Sequence, residues 1–69
     1  MVQETFTRRL RAYRKLKLWT QHDLAHRLGV SVAVVGGLER GTRAPTDSEI
    51  EQIAQLLHVT RSELGLMNE

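Results

Sequence analysis

The chain of 69 residues contains no cysteine. Disulfides and thiolate metal sites are therefore excluded, and helix packing is left as the staple, as expected in a reducing compartment. Long apolar runs are also missing. The longest, Val32 to Val35, falls far short of the roughly 20 residues that a membrane span needs, and the first residues lack the apolar stretch of a signal peptide. A soluble, cytoplasmic protein is the expectation. No alternating strand pattern, internal repeat or low-complexity segment occurs, which points to an all-α chain. At this length one domain, residues 1–69, is expected, and only about 60% of the unfolded chain's surface can be buried, so the core is small.

Charge is present but unevenly placed. Residues 1–43 carry nine Lys/Arg against three acids, and residues 44–69 carry one Arg against five acids. A formal net charge of +2 thus hides a basic front and an acidic rear. A basic face on a small domain suits phosphate-bearing partners, nucleic acid foremost.

From Phe6 to about Lys17 the apolar residues Phe6, Leu10 and Tyr13 recur at helical spacing among Arg8, Arg9, Arg11, Arg14, Lys15 and Lys17, predicting a basic amphipathic helix. Residues 1–5 read as frayed, with Thr5 or Thr7 as its cap. Leu16, Leu18 and Trp19 form an apolar connector, Trp19 being placed for packing. The stretch Thr20 to Gly41, TQHDLAHRLGVSVAVVGGLERG, reads as two short helices: Thr20 with Asp23 opens the first, Gly29 breaks it, and Ser31 opens the second. Burial of Leu24, Ala25 and Leu28 on one and of Val35 and Leu38 on the other makes the pair cross steeply and leaves the outer face of the second open. Gly41 and Pro45 punctuate a turn. Thr46 with Glu49 opens a fourth helix burying Ile50, Ile53, Ala54 and Leu57, and Thr60 with Glu63 signals a short fifth ending near Gly65.

Leu10-Arg11, Arg14, Thr20-Gln21, Leu24-Ala25, Leu28-Gly29-Val30-Ser31, Leu38-Glu39-Arg40-Gly41, Pro45, Ile53-Ala54 and Leu57-His58-Val59 together resemble the DNA-binding domain of the Cro/phage-repressor type, the XRE family of helix-turn-helix regulators. The resemblance implies a compact five-helix fold with the helix-turn-helix at 20–41, and sequence-specific binding of double-stranded DNA by a small transcriptional repressor whose third helix enters the major groove. It implies phosphate contacts from Thr20, Gln21, Arg40, Thr42 and Arg43, and an ion pair between Arg14 and Glu39 that orients the recognition helix. Base reading falls to Val32, Ala33, Gly36 and Gly37, with Val34 at the edge. Here the chain departs from relatives that carry Gln, Arg, Ser or Asn, offering methyl groups and bare backbone instead. The alternative is a protein-interaction module, an antitoxin-like or anti-repressor partner, that keeps the fold and reads DNA weakly.

A homodimer on two half-sites is expected, with Leu56, Leu66 and Met67 as candidates for its interface. His22-Asp23-Leu24-Ala25-His26 copies the two-histidine pattern of zinc proteases only superficially: Asp replaces the longer Glu and no third ligand follows, so the histidines read as solvent-facing. No nucleophile constellation or phosphate-cradling loop is present. The expectation is no enzyme, no cofactor, no metal and no small-molecule ligand.

Overall fold

The computed structural model describes residues 4–66. Four helices follow one another: α1 (Glu4–Leu16), α2 (Gln21–Leu28), α3 (Val32–Arg40) and α4 (Asp47–Leu57). The local signals of capping chemistry fix where three of them begin. Thr20 accepts from the Asp23 amide at 3.0 Å while the Asp23 carboxylate accepts from the Thr20 amide at 2.8 Å, and Thr46 with Glu49 makes the same reciprocal pair. Ser31 caps α3 through the Val34 amide. Each such cap contributes about 1 kcal/mol. Gly29 and Gly41, at φ of 75° and 82°, end α2 and α3 in the left-handed conformation that costs glycine nothing.

The first helix begins earlier than its apolar periodicity suggests. Thr7 does not cap it: the hydroxyl donates back to the Glu4 carbonyl at 2.7 Å and the side chain is buried. Thr5 lies inside the helix. Of the residues read as frayed, 1–3 lie outside the described part. Along α1 the buried stripe is Phe6, Leu10 and Arg14, with Tyr13 half-buried at its margin.

The expected fifth helix is replaced by turns. Thr60 and Glu63 do form the reciprocal cap, at 2.8 and 3.0 Å. Yet only Arg61 to Leu64 separates that cap from Gly65, which takes a φ of 83°, and one turn is too short to propagate a helix. Leu64 and Leu66 are nevertheless buried and close the base of the core. Leu66 is therefore core rather than a spare interface residue, and Met67 lies outside the described residues.

Phe6, Leu10, Leu24, Val35, Leu38, Ile53 and Leu64 have no solvent exposure. Removal of each from water stabilises the fold by about 1.5–3 kcal/mol. This cluster packs α3 against both α1 and α2, and α2 against α4. The connector between α1 and α2 is not packed as its composition suggests: Leu16 and Leu18 are 77% and 89% exposed, and Leu18 sits at a φ of 63°. Only Trp19 reaches the core, half-buried, with the Arg27 guanidinium 4.3 Å from its ring centroid. Among the described residues no helix is long and apolar enough to cross a membrane.

Candidate nucleic-acid interface

Burial of α3 along Val35 and Leu38 leaves Ser31, Val32, Ala33 and Arg40 exposed. What holds that outer face in place is a polar hub at Glu39, whose side chain is only 3% exposed. Its carboxylate accepts from Arg14 Nε at 2.6 Å, Arg14 Nη2 at 3.1 Å and Gln21 Nε2 at 3.0 Å. Arg14 Nη1 then donates to the Trp19 carbonyl at 2.7 Å. Four parts of the chain are thereby joined: α1, the turn after it, the first residue of α2 and the end of α3. The bond to Glu39 holds the Arg14 guanidinium above its ordinary pKa against the opposing effect of burial, so the guanidinium keeps its charge. Arg14 and Glu39 thus meet as the resemblance implies, and Gln21 joins them.

That third bond gives Gln21 a different geometry from the one expected. Its amide group points inward to Glu39, so what the start of α2 offers an anion is backbone. Thr20 Oγ1 satisfies the Asp23 amide, whereas the amides of Gln21 and His22 ahead of it have no partner within the helix. The positive end of the helix dipole lies there too.

At the other end of α3 the chain folds back over Gly37. The Gly37 carbonyl accepts from the amides of Gly41 and Thr42 at 3.0 Å each and of Arg43 at 3.3 Å, with the Thr42 hydroxyl at 3.5 Å. A Cβ on Gly37 would stand 3.2 Å from the Arg43 Cβ, so glycine permits this close return. Arg43 itself is paired, Nη2 lying 2.6 Å from Glu49 Oε2, and its side chain is 42% exposed. Burial pushes the Glu49 carboxyl up, but the Thr46 amide and Arg43 outweigh it and hold the group below its ordinary value.

The expected reading face is corrected in two places. Gly36 and Gly37 are buried, not open backbone. Gly37 lies under the Thr42–Arg43 turn and Gly36 lies under the side chain of Arg40, whose Nη1 is 2.9 Å from where a Cβ would be. Val34 is half-buried against the core. Val32 and Ala33 remain at the surface. Sequence periodicity missed the cover over the glycines because it places a residue on a face without saying what a long neighbour or a returning turn does there.

Away from this face, His22 and His26 are exposed, and among the described residues no group of three or more potential ligands gathers around a metal position. Leu56 is half-buried and, with Arg27, Gln52 and Gln55, lines a shallow cavity of about 270 Å³.

Two short helices joined by the tight turn at Gly29–Ser31, the second packed on the core by Val35 and Leu38 with Val32 and Ala33 left at the surface, define a helix-turn-helix domain. Residues 10–64 match the helix-turn-helix family. The chain is 44% identical over 65 residues to YazB, an uncharacterized HTH-type transcriptional regulator of Bacillus subtilis, covering 94% of each chain. Its fold is similar to that of the restriction-modification controller protein C.AhdI from Aeromonas hydrophila, with a TM-score of 0.80 and 37% identity over 87% of this chain and 91% of that one. The chain belongs to the XRE-type helix-turn-helix family, whose members bind DNA sequence-specifically and regulate transcription.

Proposed function

We propose that this protein is a cytoplasmic repressor that occludes a promoter by inserting α3 into the major groove of double-stranded DNA. The observation that carries this reading is the Glu39 hub, which ties the start of α2 to the end of α3 through Arg14 and Gln21. A fixed spacing between two phosphate grips is what registers a recognition helix on a duplex. In this assignment Thr20 and the amides of Gln21 and His22 hold one backbone phosphate, while Thr42 and Arg43 hold another. Arg43 exchanges its exposed contact with Glu49 for the phosphate, at small cost because a surface pair is worth about 0–1 kcal/mol. Val32 and Ala33 then meet the base edges, where their methyl groups suit thymine.

One such domain covers few base pairs, so the acting species is a homodimer on two half-sites one helical turn apart. The half-buried Leu56 beside its shallow cavity supports an interface on α4. The test is affinity for random duplex DNA at two salt concentrations. Binding that falls steeply with salt is expected from phosphate contacts, and undetectable binding at low salt would overturn the reading. Thr42→Ala and Arg43→Ala should weaken binding to all sequences alike.

A further inference from the structure

We infer that Arg40, seated on Gly36, is the hydrogen-bonding base reader of this protein, and that the base it reads is a guanine. The inference rests on the DNA-binding reading above and departs from the resemblance, which places Arg40 on a phosphate.

Helical geometry sets the position. At about 100° per residue, Val32, Ala33, Gly36 and Arg40 fall within one arc of about 100° opposite Val35 and Leu38. Arg40 therefore starts from the same outer face, about 20° from Ala33 and about 40° from Gly36. A long helical side chain leans toward the N-terminus, over the residue four before it, and Arg40 does so. Its Nη1, Cζ and Nη2 lie 2.9, 3.7 and 3.8 Å from the position a Gly36 Cβ would occupy. The whole guanidinium thus lies over the Gly36 backbone, midway along the exposed strip that begins with Val32 and Ala33.

Three observations separate this arginine from the other cations near the site. Arg14 is spent on Glu39 and Trp19, and Arg43, which starts from the turn beyond α3, bonds Glu49 in the free protein and is assigned to a phosphate above. Arg40 is exposed and, among the described residues, makes no salt bridge or side-chain hydrogen bond, so its fork of donors is unspent. Gly36 also weakens the helix relative to alanine, and the space it leaves open is filled by this guanidinium. Such a planar fork matches the O6 and N7 acceptors that guanine presents in the major groove. With only methyl groups at Val32 and Ala33, it is the group on this face able to make a paired hydrogen bond. Gly36 is then a positioning residue, since any Cβ there displaces Nη1.

The experiment is selection of bound sites from a random duplex pool by the full chain and by Arg40→Lys, Arg40→Ala, Gly36→Ala and the Arg40→Ala/Gly36→Ala pair, with affinity for one random duplex measured beside it. The wild-type profile should require guanine at one position of each half-site. Arg40→Lys keeps the charge but loses the fork, so its preference for that guanine should fall about tenfold or more, a larger change than in its affinity for random duplex. Gly36→Ala should relax the same position, and the double variant should be no worse there than Arg40→Ala alone. Thermal melts of the variants confirm that they are folded. A uniform loss with Arg40→Ala, at an unchanged profile and with a shallower salt dependence, would make Arg40 a phosphate contact and overturn the inference while leaving the DNA reading intact. Absence of binding to any duplex by the wild type would overturn both.

Discussion

Removal of Arg14 should come close to unfolding the protein, whereas removal of Arg14 and Glu39 together should not. Glu39 receives three hydrogen bonds and keeps only 3% of its side chain in contact with solvent. Arg14→Met deletes the bonds of 2.6 and 3.1 Å and leaves a buried carboxylate with Gln21 alone. Loss of one partner of such a pair costs about 3–5 kcal/mol. A chain of this length has a total stability of about 3–10 kcal/mol, so much of the folded population is at stake. The Trp19 carbonyl loses its donor as well, adding a further contribution of about 1 kcal/mol. Arg14→Met/Glu39→Leu removes the stranded charge, and apolar replacement of a buried pair is often neutral or better. Urea unfolding followed by circular dichroism should therefore show a large drop in midpoint for Arg14→Met and recovery of most of it in the double variant, at an unchanged slope. The recovered protein should nonetheless bind DNA weakly, because the hydrogen bond from Gln21 to Glu39 that fixes the start of α2 against the end of α3 is then gone. A loss below about 1 kcal/mol for Arg14→Met would show that the pair behaves as a surface contact and refute the hub as described.

Leu18→Gly should raise thermal stability. Leucine at a φ of 63° pays for a left-handed backbone with a side chain that is 89% exposed, so relief of about 1–2 kcal/mol exceeds the flexibility that glycine adds to the unfolded chain; a lower melting temperature would contradict this. Acid should destabilise the protein in a defined window. The Asp23 carboxyl, bonded by the Thr20 amide and hydroxyl, and the Glu49 carboxyl, raised by burial but more strongly lowered by Thr46 and Arg43, both lie below their ordinary values of 3.8 and 4.5. Because the folded values are depressed, their contribution is present above the unfolded values and is lost as pH falls through the folded ones. Unfolding midpoints should thus hold from pH 7 to about 5 and decline below about 4, and the decline should be shallower in Glu49→Gln.

Much of this architecture is legible in the sequence because its signals are local. Thr20 with Asp23, Ser31 and Thr46 with Glu49 act within four residues, and each opens the helix it announces. The same local chemistry misleads at Thr60, where the cap forms but the chain reaches Gly65 before a helix can extend. Non-local facts were hidden. Nothing in the order of residues says that Leu66 returns to the core, that Leu18 stands out in solvent, or that Gln21 turns toward Glu39. The candidate interface follows the same division: the Arg14–Glu39 pair was readable from residue types, but the cover that Arg40 and the Thr42–Arg43 turn lay over the two glycines depends on reach and on the return of the backbone.

Packing and outward surface draw on different residues of α3. Val35, Leu38 and Glu39 supply the packing and the hub, while Val32 and Ala33 touch neither the buried cluster nor the carboxylate network. In the DNA-binding reading proposed above, those two outward positions are therefore exchangeable, and base preference with them, without disturbing the core or the hub. The hub has the opposite character. Since one carboxylate joins α1, the start of α2 and the end of α3, a single change at Arg14 or Glu39 strikes folding first, whatever the outer face carries.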